Sequence, residues 1–346
     1  HFDEVTRKRI YESIDVSNFN DVRIIKESYK QLKFKLGRIP SLIDFEEHGE
    51  IDAIRKKEKK TMGTYYKFLT KYEKDYTIRI SKQAEKYLEY ISKKFASGKR
   101  VHELQMLKRI ITYKQGLFKI LGQDLQENYG ILMNEATRKN IVNVFTNEFA
   151  TGSGKSTYED CIFIEQEEDD YKINSLLNKA LQDVNFLNMV IELVEFGFYK
   201  NQTYYNNPYL NTSFQLYKKY TYEDVCRLLE WEKAEVALNI GGYKYDSKTK
   251  TYPVFINYHK EDYIQDTVKY EDRFINPSTL IAISKSGRTV LSEDVKTALN
   301  ADSLGVQMEL FVRKNKDDKT SKEFYYLGKI KATGNIHEVM MSNTSK

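Results

Sequence analysis

The chain has 346 residues and a mass of 40.8 kDa, a length that accommodates about two domains of ordinary size. Hydrophobic residues make up 40% and charged residues 30%, the balance of a soluble globular protein with real cores. The longest apolar runs are a few residues, such as Leu280-Ile281-Ala282-Ile283, far below the roughly 20 that a bilayer span requires. No basic and apolar leader opens the chain, and two cysteines, Cys161 and Cys226, exclude a disulfide scaffold or a zinc ribbon. Together these point to a reducing, cytoplasmic setting. The net charge of +5 permits nucleic acid as a partner without demanding it. The chain opens at His1 rather than Met, and the expectation is a piece of a longer protein.

The first 150 residues carry helical patterning. DVRIIKESYKQLKFKL places Ile24, Ile25, Tyr29, Leu32 and Leu36 on one face, and Gly37 stops it. Ser41 can cap a short helix, SLIDFEEHG. Residues 80–97 and 101–114 repeat the pattern around a turn at Gly98, and NEATRKNIVNVFTNEF runs on to about Phe149. Thr151–Thr157 reads as a polar loop, CIFIE as a strand, and two helices follow over about 172–198. A Tyr/Asn-rich loop over 201–212 leads to a capped helix from Thr221 to near Trp231. From Gly241 strands dominate: GGYKYDSKTKTYPVFINY as a hairpin, then STLIAISK, MELFVRK and EFYYLGKIKA, with one helix at Ser292–Asn300 behind a Ser cap. The predicted fold is α+β, with a helical domain over 1–150, a mixed connection over 151–220, and a small bent-sheet or barrel-like domain over 221–346.

Phe149-Ala-Thr-Gly-Ser-Gly-Lys-Ser156 mimics a phosphate-binding loop. Its leading Gly is replaced by Phe149, however, and a strand follows where a helix is needed. The five histidines are scattered, and no Cys or His spacing suits a metal. The acidic run Glu165–Asp170 suits a solvated loop better than a cation site. No nucleophile elbow and no acid-plus-Glu-x-Lys nuclease pattern is present, so no catalytic residue and no cofactor are expected in this chain. What remains is charge interleaved with aromatics. Lys56, Lys57 and Lys60 precede Tyr65, Tyr66 and Phe68, and Lys99 and Arg100 follow Gly98 at a helix end. Such cations can grip phosphates, or they can form an ordinary solvated face. Tyr258-His259-Lys260, Arg273 and Ser284-Lys285-Ser-Gly-Arg288 group polar donors around turns of the strand region. Loops of this kind can read a base or a duplex edge; the alternative is that they close the sheet.

Over most of its length the chain resembles a bacterial family. LYKKYTYEDVCRLLEWEKAEVALNIGGYKYDSKTKTYPVFINYHK, KYEDRFINPSTLIAISKSGRTVLSEDV, LFVRKN and EFYYLG look like an uncharacterised domain at the C-terminus of superfamily II DEAD/DEAH-box helicases, often with a phospholipase-D-like nuclease domain at the N-terminus. LGRIPSLIDFEEHGEID, TYYKFLTKYE and SGKRVHELQMLKR resemble the linker region of those proteins. The resemblance implies a restriction- or defence-type parent whose ATP- and Mg-dependent motor precedes His1, with a last strand and helix beyond Lys346. It implies no catalytic residue here. The expected role is non-catalytic: binding DNA and positioning the helicase core or an attached nuclease, with Lys285, Arg288, His259, Arg273 and Tyr258 as the polar candidates. A protein-docking module is the alternative. A nuclease assembled from Asp224, Glu230 and Asp272 is the third reading.

Overall fold

The computed structural model describes residues 22–46, 64–113, 115–235, 242–259, 273–285, 287–315 and 322–337. The fold is α+β, as the sequence implies, with helices concentrated in the first half and a curled mixed sheet in the second. The chain divides between Asn207 and Pro208 into two compact units.

The helical unit contains α1 (Val22–Leu36), α2 (Leu42–Glu46), α3 (Tyr65–Tyr72), α4 (Lys82–Lys94), α5 (Val101–Thr112), α6 (Leu117–Tyr129) and α7 (Glu135–Phe145). A short α8 (Gly152–Thr157) precedes the hairpin β1 (Ile164–Glu167) and β2 (Asp170–Ile173), then α9 (Ser175–Ala180) and α10 (Val184–Tyr204). Local caps start several of these helices. The side chains of Thr64, Ser81 and Asn134 accept from the backbone N–H groups of Lys67, Ala84 and Thr137, each satisfying an amide with no partner inside its helix. Helix α6 begins at Gly116, which has no side chain to offer. Its Phe118 and Lys119 amides donate instead to the Asp170 carboxylate at 3.0 and 3.2 Å, so an acid of the run 165–170 serves as a helix cap.

Helix α10 is the organiser. Leu42 N–H at the start of α2 donates to Glu192 at 2.9 Å, and Glu46 at its end pairs with the buried Lys200 at 3.2 Å, so α2 is pinned at both ends. Gly197 faces Leu104 of α5 so closely that a Cβ there would lie 2.4 Å from a Leu104 methyl. Gly98, at φ 71° in the α4–α5 turn, lies against the Gly197 carbonyl and the Asn201 amide. Beside this joint, Tyr90, Phe95, Phe145 and Phe163 pack ring to ring at 5.2–6.1 Å.

The sheet unit contains β3 (Lys219–Tyr220), α11 (Tyr222–Leu228), β4 (Thr251–His259), β5 (Arg273–Asn276), β6 (Thr279–Ile281), α12 (Glu293–Leu299), α13 (Ala301–Leu304), β7 (Gln307–Asn315) and β8 (Phe324–Lys329). The predicted hairpin forms through bridges Tyr243↔Val254 and Asp246↔Thr251. The main sheet has the order β3-β8-β7-β4, antiparallel except for the parallel pair β4·β7, while β5 and β6 form a separate ribbon. Side chains alternate across it. Tyr252, Val254, Ile256, Met308 and Leu310 line one face with Ala301 and Val306. On the other face Phe255, Phe311, Phe324 and Tyr326 meet Phe214, Tyr220 and Tyr222. Trp231 is buried and donates its indole N–H to Thr251 at 2.8 Å.

Candidate nucleic-acid interface

Two of the polar candidates of the strand region, Lys285 and Arg288, come together at the hairpin that opens it. Tyr243 and Tyr245 are two residues apart and project to the face that carries Tyr252. Their rings stack on Tyr252 at 5.6 and 6.2 Å between centroids, inclined by 19° and 28°. Tyr252 is buried, whereas Tyr243 and Tyr245 remain half-exposed. The loop before α12 lies against this stack. Lys285 donates its backbone N–H to the Tyr243 hydroxyl at 3.1 Å, and its ammonium sits 4.8 Å from the centre of the same ring. Arg288 reaches forward to Asp294, with Nε 2.8 Å from Oδ2. The Tyr252 hydroxyl donates to the Asp294 carbonyl at 3.0 Å, and the Thr289 N–H donates to the Ser292 hydroxyl at 3.0 Å. The result is a clasp of two cations, three tyrosines and one carboxylate.

The electrostatics follow from partial burial. Burial lowers the Lys285 pKa and raises that of Tyr243. Burial also pushes Asp294 up, but the Arg288 guanidinium, the Val295 N–H and the Tyr243 hydroxyl together outweigh it and hold the carboxyl below its usual range. Neighbouring cations have carboxylates of their own: Lys244 pairs with Glu235, Lys248 with Glu232 at 2.7 Å, and Lys296 with Glu293 at 3.4 Å. Lys285 forms no such ion pair among the described residues. Chemically, the clasp can offer hydrogen-bond donors and a cation beside flat aromatic surface.

Lys285 and Arg288 therefore share one site. Tyr258 and His259 end β4, opposite Asn315 in the case of His259, and Arg273 opens β5 opposite Ile281. Lys56, Lys57 and Lys60 lie outside the described residues, as does Asp272. Lys99 is half-buried after Gly98. Arg100 does not present itself for a phosphate: it is 7% exposed, and its guanidinium bonds Glu103 at 3.1 Å and Asn140 at 2.5 Å inside the helical unit. Removing a guanidinium from water demands such partners, and α7 supplies one of them.

Two other sequence features find structural roles. Phe149–Ser156 does not end as a polar loop, because residues 152–157 form α8. Asn147 holds it from outside, donating to the Lys155 and Tyr158 carbonyls at 2.9 and 3.1 Å, while Lys155 pairs with Glu148 at 2.7 Å. Helix α7 precedes this segment, so the strand-then-helix order of a phosphate-binding loop is absent here. Asp224, one of the scattered acids, completes a capping box with Thr221 and pairs with Arg227 at 3.1 Å. Among the described residues no group of three or more His, Cys, Asp or Glu side chains is gathered as for a metal, and no helix is long and apolar enough to cross a membrane.

Sequence reasoning missed Asp294 and the stacking role of Tyr245 and Tyr252. The acidic first turn after Ser292 is visible in the sequence, but nothing local pairs its second acid with Arg288. The Tyr-x-Tyr spacing on a hairpin strand was the one signal for the stack.

Comparison with known families follows the same division. Residues 25–206 match a family described as a domain of unknown function, DUF8090, and residues 214–346 match a second, DUF3427. The first match covers more than half of the chain, and the chain belongs to the DUF8090 family. No curated protein matches it.

Proposed function

We propose that this chain is a non-catalytic nucleic-acid-binding region of a superfamily II helicase, which holds DNA for the motor or for an attached nuclease. The helicase part rests on the sequence resemblance. The binding part rests on one observation, the convergence of Lys285 and Arg288 on half-exposed Tyr243 and Tyr245, which stack on the buried Tyr252. Stacking surface with adjacent cations is the chemistry that single strands and unstacked bases require, and binding to phosphates supplies most of the affinity.

The test is fluorescence anisotropy of the chain with labelled oligothymidine and a duplex of equal length across a salt series. Affinity should fall log-linearly with salt, and Lys285→Ala with Arg288→Ala should reduce the slope by about one for each phosphate that is no longer gripped. Unchanged affinity and slope in the double variant would remove the clasp from the reading. A protein-docking role is the second reading, favoured by Phe34, which stands 91% exposed on α1. It calls for DNA affinity no better than that of a neutral control protein.

A further inference from the structure

Resting on that reading, we infer that Asp294 holds the place of a DNA phosphate. Binding transfers the Arg288 guanidinium from the Asp294 carboxylate to a phosphodiester. Three observations carry this. The Asp294 carboxylate takes a charge-assisted hydrogen bond from Arg288 Nε at 2.8 Å and interacts with the Tyr243 hydroxyl. It is a two-oxygen anion held by a guanidinium and a phenol, the donors that also suit a phosphodiester. Next, the pair lies at the surface, with the two side chains 41% and 22% exposed, and an ion pair so placed is readily exchanged. Finally, the loop does not depend on it. Lys285 N–H to Tyr243, Thr289 N–H to Ser292 and Tyr252 to the Asp294 carbonyl all remain when the guanidinium leaves. Lys285, which forms no ion pair among the described residues but feels the Asp294 charge, then stands beside the same phosphate. No covalent step is involved: one anion replaces another on the same donors.

Asp294 is therefore an internal competitor, and removing its charge should strengthen binding. Glu293 is its control, an adjacent acid that is 91% exposed and pairs with Lys296 rather than Arg288. Oligothymidine binding is measured by anisotropy at low salt for the wild type, D294N, E293Q and the double variant D294N/R288A. D294N should tighten binding about threefold or more beyond E293Q, because it releases Arg288 as well as removing one repulsive charge. The double variant should lose that extra gain. Equal effects of D294N and E293Q would overturn the inference while leaving DNA binding intact. No binding by any variant would overturn both this inference and the reading beneath it. Circular dichroism checks that D294N is folded. Independently of any variant, the Arg288 Nε–H resonance of the wild type should shift on saturation with oligothymidine, and an unmoved resonance would overturn the transfer.

Discussion

Replacing Gly98 by Ala tests the joint on which the helical unit is built. Its φ of 71° lies in the left-handed region, which costs an L-residue about 1 kcal/mol. That part is shared by Gly37→Ala, at φ 67°, where a Cβ meets nothing within 4 Å. The rest is particular to Gly98. A Cβ there would sit 2.5 Å from the Gly197 carbonyl oxygen and 2.6 Å from the Asn201 nitrogen, both backbone atoms, where ordinary contact begins at 3.4 Å. The turn and α10 must then separate by nearly an ångström. That strains the bond from Asn201 Nδ2 to the Gly98 carbonyl, now 2.7 Å, at a cost of about 1 kcal/mol. Loosened packing of α10 adds about 1–3 kcal/mol. G98A should therefore destabilise by about 3–5 kcal/mol against about 1 for G37A. Urea unfolding of the full chain, followed by helical circular dichroism, measures the difference. If G98A falls within about 0.5 kcal/mol of G37A, the close approach does not limit stability and the reasoning is refuted.

Two buried titratable groups give predictions of opposite sign. His102 is 7% exposed, neither ring nitrogen has a hydrogen-bond partner among the described residues, and burial, helped by Arg100, lowers its pKa well below 6.5. Below about pH 6.5 the unfolded chain takes up a proton that the folded chain refuses, so stability falls with acid by up to about 1.4 kcal/mol per pH unit. His102→Leu should flatten that slope in urea melts at pH 5–7, and an identical slope would sink the assignment. Glu309 is fully buried on β7, accepts from the Tyr326 hydroxyl at 2.5 Å, and has its pKa raised to about 7 by burial. Its folded state holds a proton that the unfolded state has released, so its contribution is complete below about pH 4.5 and disappears as pH rises through 7. Glu309→Gln should gain about 2–3 kcal/mol over the wild type at pH 8, shrinking toward pH 4.5. A pH-independent difference would contradict it.

Elements with their own apolar period were legible in the sequence. The pattern read over 80–97 contains the helix at 82–94, and NEATRKNIVNVFTNEF contains the helix at 135–145. Helix α6 was not, because Gly116 provides no cap and the acid that does, Asp170, lies 52 positions beyond Phe118. Arg100 reads locally as an exposed cation after a glycine, and only Asn140, 40 positions away, reveals its burial. The strands of the second unit follow from their β-branched and aromatic residues, yet nothing in them announces that β4 and β7 run parallel. At the clasp, Lys285 and Arg288 were identifiable as polar candidates. The carboxylate opposite Arg288 and the ring beneath Lys285 required the tertiary arrangement.

The pairing order of the main sheet has a consequence for synthesis on the ribosome. Strand β3 bonds to β8, about a hundred residues later, and β4 bonds to β7 across the entire intervening segment. No strand of this sheet can find its neighbour until residues 307–329 have left the exit tunnel. Loop closure over such distances is slow. During that interval Phe255 has Tyr222 beside it but lacks Phe311 and Phe324, so nascent chains stalled before β7 are where chaperone binding should concentrate.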